Sequence, residues 1–208
     1  MFEDRRDAGR RLAELLSNYR KSEALVLAIP CGGVEVGYQV AEALALQFEL
    51  LISRKLPMPG NPEAGVGAIA EDGSTYLVPG SNQRFGEAEI ERIRCEQQAE
   101  IERRIRELRR GRPLPTLNGR QVILIDDGVA MGSTMRASIA CCRNQDAAEV
   151  IVAVPVAGPR VVPELERLAD KVVCVESPRF FRAVAQVYRH WRDVPDEEVL
   201  EIMQRRTR

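Results

Sequence analysis

The sequence predicts an α/β fold built on a doubly wound, mostly parallel sheet that is flanked by helices. Short apolar runs rich in β-branched residues recur along the chain, as is typical of strands buried on both faces of a parallel sheet. Segments with helical spacing of apolar residues separate most of these runs. The 208 residues suffice for one domain with its own core. The predicted parallel strands are 24–29, 49–53, 122–125, 149–154 and 171–176.

Residues 4–20 are predicted to form an amphipathic helix. Apolar residues recur at helical spacing with arginines between them, which predicts a helix that covers one flank of the sheet. We expect Asp4 and Arg5 in this segment to be architectural rather than catalytic.

The first strand leads into a loop that contains two adjacent glycines. The segment 30–33 (Pro-Cys-Gly-Gly) follows strand 24–29, and a helix is predicted from about 35 to 47. Glycines directly after a buried strand let the backbone approach an anion closely. For Cys31, a small and partly buried residue without a role is favoured over a reactive thiol.

The next strand brings two basic residues to its carboxyl end. Arg54 and Lys55 follow strand 49–53, and the proline-rich segment 56–62 is predicted to be an irregular loop. Residues 72–73 (Asp-Gly) separate two short apolar runs, which predicts a hairpin. Lys55 is a functional candidate because the carboxyl ends of parallel strands form the ligand-binding edge of such sheets.

Residues 83–110 are strongly charged and predicted to form one long helix. The thin apolar stripe of this helix can pack on the body of the protein or on another subunit, and we expect a homodimer. Interleaved glutamates and the absence of aromatics favour a solvated face over a nucleic-acid surface for its arginines. The cluster that could attract RNA is at the end of this segment and just after it, at Arg103, Arg104, Arg106, Arg109, Arg110 and Arg112.

The stretch Val122–Met135 has the most specific pattern in the chain. A buried strand brings Asp126 and Asp127 to its carboxyl end, and a turn with two glycines leads into a predicted helix. Such a helix N-terminus forms an anion site from free N–H groups and the helix dipole. Two carboxylates beside a bare phosphate would repel it, so the pair suits the vicinal hydroxyls of a ribose 5′-phosphate.

Strand and helix continue to alternate in the last third of the chain. Strand 149–154 leads to helix 161–169, strand 171–176 and a terminal helix 196–206. Phe180 and Phe181 follow the last strand, where adjacent aromatics can close a core or stack on a ligand.

The amino-acid composition limits which classes of protein are possible. A net charge of −1 provides no general basicity for binding nucleic acid. Five cysteines, two of them adjacent at Cys141 and Cys142, argue against a disulfide framework and fit a reducing compartment. The charged N-terminal segment contains no apolar leader and no run approaches the length of a membrane span. We therefore expect a cytoplasmic protein without a membrane partner.

The stretch Val122–Met135 resembles the phosphoribosyl pyrophosphate (PRPP) loop of the type I phosphoribosyltransferases: four apolar residues, two acids, a spacer, Gly and Ser-Thr. The first sixteen residues look like the opening of an uncharacterised bacterial subgroup of that family. The resemblance implies that Asp126 and Asp127 bind the ribose hydroxyls and assist Mg²⁺, which substrate oxygens and water mainly hold. It implies that the 5′-phosphate binds to Gly128, Val129, Ala130, Met131, Gly132, Ser133 and Thr134.

The same resemblance implies a pyrophosphate loop and a mobile flap. That loop is commonly Pro-Arg-Gly-Gly-Val and often contains a cis peptide, so Cys31 replaces an arginine here. Lys55 would be catalytic together with Asp126 and Asp127. Pyrophosphate would meet Cys31, Gly32, Gly33, Arg54 and Lys55.

The resemblance also implies a layout of one domain over residues 1–208. We expect a hood over the base, with Val156, Phe180 and Phe181 as the candidate base contacts. The expected parts are a core at about 22–176, a flap at 54–80, a helical insertion at 83–110, and a hood from 1–20 and 177–208.

The implied reaction transfers the 5-phosphoribosyl group of PRPP to a nitrogenous base and releases pyrophosphate, within nucleotide metabolism. The 6-oxopurine enzymes carry an Asp where Ala130 stands, and a Lys at the end of the strand matching 150–154. Hypoxanthine and guanine are therefore disfavoured, whereas adenine, orotate, uracil and non-nucleobase amines stay open. One alternative is a non-catalytic regulatory protein that binds PRPP or nucleotides on the same fold. A structural or RNA-binding protein is a third.

Overall fold

The computed structural model describes residues 1–206 and contains two sheets. The larger sheet has five strands in the order β2-β1-β6-β7-β8, and every neighbouring pair is parallel. The smaller sheet has three antiparallel strands in the order β3-β4-β5. The strands are β1 Leu25–Ala28, β2 Gln47–Leu50, β3 Ser53–Met58, β4 Asn61–Ala70, β5 Thr75–Leu77, β6 Gln121–Ile125, β7 Glu149–Val156 and β8 Lys171–Glu176.

Helices cover both faces of the parallel sheet, which confirms the predicted fold class. Alternate residues of β1 and β6 enter two different apolar clusters, one with α1, α2, α4 and α7, the other with α5 and α6. This alternation follows from the two-residue period of a strand. The helices are α1 Arg5–Leu15, α2 Gly32–Leu44, α3 Ser81–Phe85, α4 Glu87–Leu108, α5 Ser133–Asn144, α6 Val162–Leu165 and α7 Asp196–Arg206.

Helix α1 is capped as its sequence suggests. The Asp4 carboxylate accepts a hydrogen bond from the Asp7 N–H at 2.8 Å, which satisfies one of the free donors of the first turn. A cap of this kind contributes about 1 kcal/mol. The architectural role expected of Asp4 is therefore confirmed.

The predicted strand 49–53 is wrong, because two strands share that segment. Strand β2 ends at Leu50 in the parallel sheet, whereas Ser53 begins β3 in the antiparallel sheet. The predicted irregular loop 56–62 is also wrong over most of its length, since β3 runs to Met58 and β4 begins at Asn61. Pro57 has no N–H to donate, and the pairing register shifts on both sides of it. A proline on an edge strand therefore bends the ladder without ending it.

Four predicted helices differ from those in the structure. Helix α1 ends at Leu15 rather than at residue 20. Helix α2 starts at Gly32 rather than near 35, and Ala45 ends it in a left-handed conformation with φ of 55°. The predicted helix 83–110 is two helices that meet at Gly86, whose φ is 80°. Helix α6 is only four residues long instead of the nine predicted.

The hairpin around residues 72–73 is confirmed. Strands β4 and β5 pair antiparallel on either side of Gly73, which has a φ of 90°. The apolar stripe of α4 packs on the body of the protein, with Ile90, Ile93, Ile101 and Leu108 buried in the core. The last two residues of the expected hood, 207 and 208, lie outside the described residues.

Candidate functional site

Asp126 and Asp127 lie at the carboxyl end of β6, near the centre of the parallel sheet. The Asp127 N–H donates to the Asp126 carboxylate at 2.8 Å, so the backbone itself orients that side chain. Burial raises the pKa of Asp126 well above its usual value, and the charge of Asp127 acts in the same direction. Burial also raises the pKa of Asp127, although Arg5 opposes it. The pair therefore holds a proton more readily than two exposed aspartates would.

Arg5 contacts this acidic pair, a contact that the sequence did not predict. Its Nε donates to Asp127 Oδ2 at 2.8 Å, and its Nη1 lies 3.7 Å from Glu35 Oε2. The guanidinium also stacks over the Trp191 ring at 4.0 Å and is almost completely buried. Arg5 thus fixes one carboxylate oxygen of Asp127. The available signal was its place on the buried face of α1, in register with Ala8 and Leu12.

The segment from Gly128 to Gly132 connects the acids to the N-terminus of α5. Val129 exchanges backbone hydrogen bonds with β7 and the segment after it, at 2.8 Å to Val156 and 2.9 Å from Gly158. Gly132 has a φ of 75°, which favours glycine, and no side chain caps the helix that follows. The uncapped N–H groups and the helix dipole are suited to an anion.

The loop after β1 lies directly against the acidic pair. A Cβ at Gly32 would lie 1.8 Å from Asp127 Oδ2, and one at Gly33 would lie 2.9 Å from the Asp126 Cα. Only glycine permits this approach, which explains why two glycines occur here. The peptide bond between Pro30 and Cys31 is cis, in agreement with the expectation for this loop.

A narrow cavity of about 440 Å³ opens where the two loops meet. It lies between the end of β1, strand β3 and helix α4. The charged and hydroxyl-bearing residues that line it come from several segments of the chain. They include Ser53, Arg54, Lys55, Arg104, Asp126 and Thr134.

Arg54 and Lys55 reach this cavity from a different element than predicted. They lie on β3 of the antiparallel sheet, which passes over the loops, rather than at the end of a parallel strand. The Lys55 Nζ donates to the Glu63 carbonyl at 2.9 Å, across the β3–β4 hairpin. The Arg54 Nε donates to Gln97 of α4 at 3.1 Å. The structure thus brings both basic residues to the same cavity as Asp126.

Cys31 faces a basic residue of α4. Its thiol donates to Asp196 Oδ1 at 3.5 Å and accepts from Arg104 Nη1 at 3.4 Å. Burial raises the pKa of the Cys31 thiol, although Arg104 opposes this. A thiol with a raised pKa is a poor nucleophile, so Cys31 does not have the environment of a reactive cysteine.

A wider cavity of about 1040 Å³ lies on the other side of the loop 128–132. Phe180 is 81% exposed there, and Phe181 also lines the wall. Val156, the third candidate for a base contact, is fully buried against Phe2 and Tyr188 and does not line this cavity. The strand β7 that carries Val156 extends farther than predicted, and its last residue packs with Phe2 and Tyr188.

Neither site contains a preformed metal cage. Within residues 1–206, no group of three or more His, Cys, Asp or Glu side chains could hold a metal ion. Asp126 and Asp127 do offer carboxylate oxygens, the ligand type that Mg²⁺ prefers. No helix in the described part of the chain is long and apolar enough to cross a membrane.

Comparison with known proteins agrees with the fold and with the sequence resemblance. Residues 3–190 match the model of the phosphoribosyl transferase domain. Two proteins of Mycobacterium tuberculosis, from strains CDC 1551 and H37Rv, are provisionally named phosphoribosyl transferases. Each is 37% identical to this chain over 209 aligned positions, 99% of the chain.

The chain spans about half of those relatives, since the match covers 47% of their length. The crystal structure of TT1426 from Thermus thermophilus is 37% identical and superposes with a TM-score of 0.82, over 99% of this chain and 98% of that one. The chain belongs to the phosphoribosyl transferase domain family.

Proposed function

We propose that this protein transfers the 5-phosphoribosyl group of PRPP to a nitrogenous base and releases pyrophosphate. The observation that supports this most is the contact between the two glycine loops, at Gly32 and Asp127. It joins a carboxylate pair, an uncapped helix N-terminus and a cationic cavity into one cleft. A ribose that carries a phosphate at one end and a pyrophosphate at the other needs these three features in this order.

In this proposal each part of PRPP has its own partners. Asp126 and Asp127 accept hydrogen bonds from the ribose hydroxyls, and the backbone from Gly128 to Thr134 binds the 5′-phosphate. The pyrophosphate binds to the backbone of Cys31, Gly32 and Gly33 and to the side chains of Arg54 and Lys55. Mg²⁺ would add positive charge beside the leaving group, held by substrate oxygens, water and the two aspartates.

The chemistry is then mostly positioning and electrostatics. The bond between C1′ and the pyrophosphate oxygen breaks while a bond from the base nitrogen to C1′ forms, and the base loses a proton. Positive charge grows on the ribose near Asp126 and Asp127, and negative charge grows on the pyrophosphate near Lys55. Preorganised charges of this kind stabilise the transition state more than the ground state.

The acceptor would bind in the wider cavity. Phe180 and Phe181 provide apolar surface for a planar ring. Four arginines line the same cavity. One of them, Arg136, pairs with Glu164, whereas within residues 1–206 the other three form no ion pair with a carboxylate. An acceptor that carries an anionic group suits them, which favours orotate over uracil and adenine. The three residues are Arg160, Arg179 and Arg182.

A second candidate is a regulatory protein that binds PRPP without turnover. The absence of a cation at Cys31, inside the pyrophosphate loop, favours it. The arginines of α4 do not favour the RNA-binding alternative, since Arg92, Arg94, Arg103 and Arg104 pair with glutamates of the same helix.

Release of pyrophosphate tests the proposal. The protein is incubated with PRPP, Mg²⁺ and one acceptor at a time, and orotate and uracil form a matched pair that differs by one carboxylate. Pyrophosphate release with one acceptor supports the enzyme, and release with orotate but not uracil supports the anionic acceptor. PRPP binding without release for any acceptor favours the regulator. No PRPP binding contradicts both.

A further inference from the structure

The walls of the narrow cavity contain more positive than negative side chains. Arg54, Lys55 and Arg104 line it, whereas Asp126 is the acidic residue of its walls. Burial lowers the pKa of Arg54, and the nearby charge of Arg104 lowers it further. Glu100 and Asp196 offset part of this repulsion between the two guanidinium groups, and an anion bound in the cavity would offset more of it.

Arg104 comes from α4, the charged helix whose role the sequence left open. The Arg104 side chain is 14% exposed. Its Nε donates to Glu100 at 3.2 Å, its Nη1 donates to Cys31 Sγ at 3.4 Å, and its Nη2 lies 3.5 Å from Asp196. These contacts orient the guanidinium at the mouth of the loop 30–33. They use three of its five N–H groups, so at least two remain for a ligand.

Cys31 contributes by its size and its neutrality. The thiol occupies little space and lets the guanidinium of Arg104 approach the loop. Because its pKa is raised, the thiol stays neutral at pH 7 and does not cancel the charge of Arg104. The cation that the loop itself lacks is therefore present in space, from a position 73 residues away.

We infer that Arg104 binds the pyrophosphate group of PRPP together with Arg54, and supplies the positive charge that position 31 does not. This inference rests on the proposed binding of PRPP. It assigns a role in ligand binding to helix α4, which would hold a phosphate group rather than RNA.

The test compares Arg104→Gln with Arg103→Gln. Arg103 is the neighbouring residue and also pairs with Glu100 and Asp196, but it does not line the cavity. Each variant and the wild type are titrated with PRPP, inorganic pyrophosphate and ribose 5-phosphate, all with Mg²⁺. Arg104→Lys keeps the positive charge and is included as a second test in case Arg104→Gln does not fold.

Arg104→Gln is expected to weaken the binding of PRPP and pyrophosphate by about tenfold or more, the usual effect of a charged hydrogen bond. Ribose 5-phosphate should bind as it does to the wild type, and Arg103→Gln should change none of the three affinities. Arg104→Lys should retain part of the pyrophosphate affinity.

Two results would overturn the inference while PRPP binding by the wild type stands. One is a pyrophosphate affinity of Arg104→Gln that equals that of the wild type. If Arg104→Gln does not fold, the equivalent result is that Arg104→Lys lowers the pyrophosphate affinity no more than Arg103→Gln does. The other is an equal loss for ribose 5-phosphate, which would indicate general damage to the cleft. If the wild type binds neither PRPP nor pyrophosphate, the proposed function fails first, and the inference fails with it.

Discussion

The loops after β1 and β6 are built alike and differ in where their charged groups come from. Each follows a central parallel strand, contains glycine and enters a helix. The loop after β6 contains its acids, its glycines and its helix N-terminus within nine consecutive residues. The loop after β1 has no charged residue, and its cavity is completed by β3 and α4. One proposed anion site is therefore local in sequence, and the other proposed site is assembled by the fold.

This difference predicts different sensitivities. Changes within the loop after β6 should remove binding directly, because no other segment replaces its groups. Changes around the loop after β1 should reduce binding in steps, because several segments share the task.

The largest effect is expected from Asp126→Asn combined with Asp127→Asn. Both substitutions keep the side-chain size and remove the negative charge of the two carboxylates, which are proposed to accept hydrogen bonds from the ribose hydroxyls. PRPP affinity should fall by at least about 100-fold, since two charge-assisted hydrogen bonds are lost. Calorimetric titration measures it, with Asp4→Ala as the control that should bind PRPP normally. Wild-type affinity in the double variant would contradict the ribose assignment.

Lys55→Ala should have the next largest effect. Removing one of several cations around the pyrophosphate should lower the turnover number by about 10- to 100-fold, because the leaving group loses part of its stabilisation. Lys171→Ala is the matched control, since Lys171 is at the opposite end of its strand from the loops. An equal rate for Lys55→Ala and Lys171→Ala would show that Lys55 has no part in the chemistry.

The pH dependence of PRPP affinity should show the contribution of the loop after β6, because that loop contains the aspartates. The pKa of Asp126 is raised, so in the free protein this group gains a proton at a higher pH than an exposed aspartate does. PRPP affinity should therefore fall as the pH drops through that pKa, and Asp126→Asn should remove this step. A profile that is the same with and without the Asp126 carboxylate would argue against its role.

The same pKa shift affects folding in the opposite direction. A carboxyl group that binds its proton more tightly when folded stabilises the fold most below its unfolded pKa, and the effect is lost as pH rises through the folded pKa. Asp126→Asn should therefore unfold at a higher denaturant concentration than the wild type near neutral pH. Near pH 4 the difference should shrink, because the wild-type group is then protonated in the fold. A constant difference across this range would contradict the direction of the shift.

Phe180→Ala should give the smallest effect, confined to the wide cavity. An exposed ring that stacks on the acceptor contributes about 1 kcal/mol, so the acceptor KM should rise several-fold while PRPP affinity stays unchanged. Leu168→Ala removes another exposed apolar side chain away from the cavity and serves as the control. If Phe180→Ala changed the PRPP affinity and not the acceptor KM, Phe180 would contact PRPP rather than the acceptor.

The parts that were predicted correctly have signals that are local in sequence. The buried strands are recognisable as short apolar runs, the hairpin by residues 72–73, and the loop after β6 by its whole motif. The structure contains these elements, and their arrangement confirms the predicted fold class. The domain layout, the homodimer and the roles of individual site residues stay predictions.

The parts that were missed depend on contacts between distant segments. An apolar run does not reveal which sheet its residues join, so Ser53 was assigned to the wrong strand. Arg5 and Asp127 are 122 residues apart, and Arg104 and Cys31 are 73 apart. In a charged helix the residue that faces a cavity looks like its solvated neighbours. Only the packing of α4 distinguishes Arg104 from Arg103.

The most direct test of the account is a crystal structure of the protein with PRPP and Mg²⁺. We expect the 5′-phosphate against the backbone of 128–134 and the ribose hydroxyls within hydrogen-bond distance of Asp126 and Asp127. The pyrophosphate should lie in the narrow cavity, in contact with Lys55 and Arg104. A PRPP molecule whose ribose lies away from the two aspartates, or whose pyrophosphate lies outside that cavity, would contradict the account.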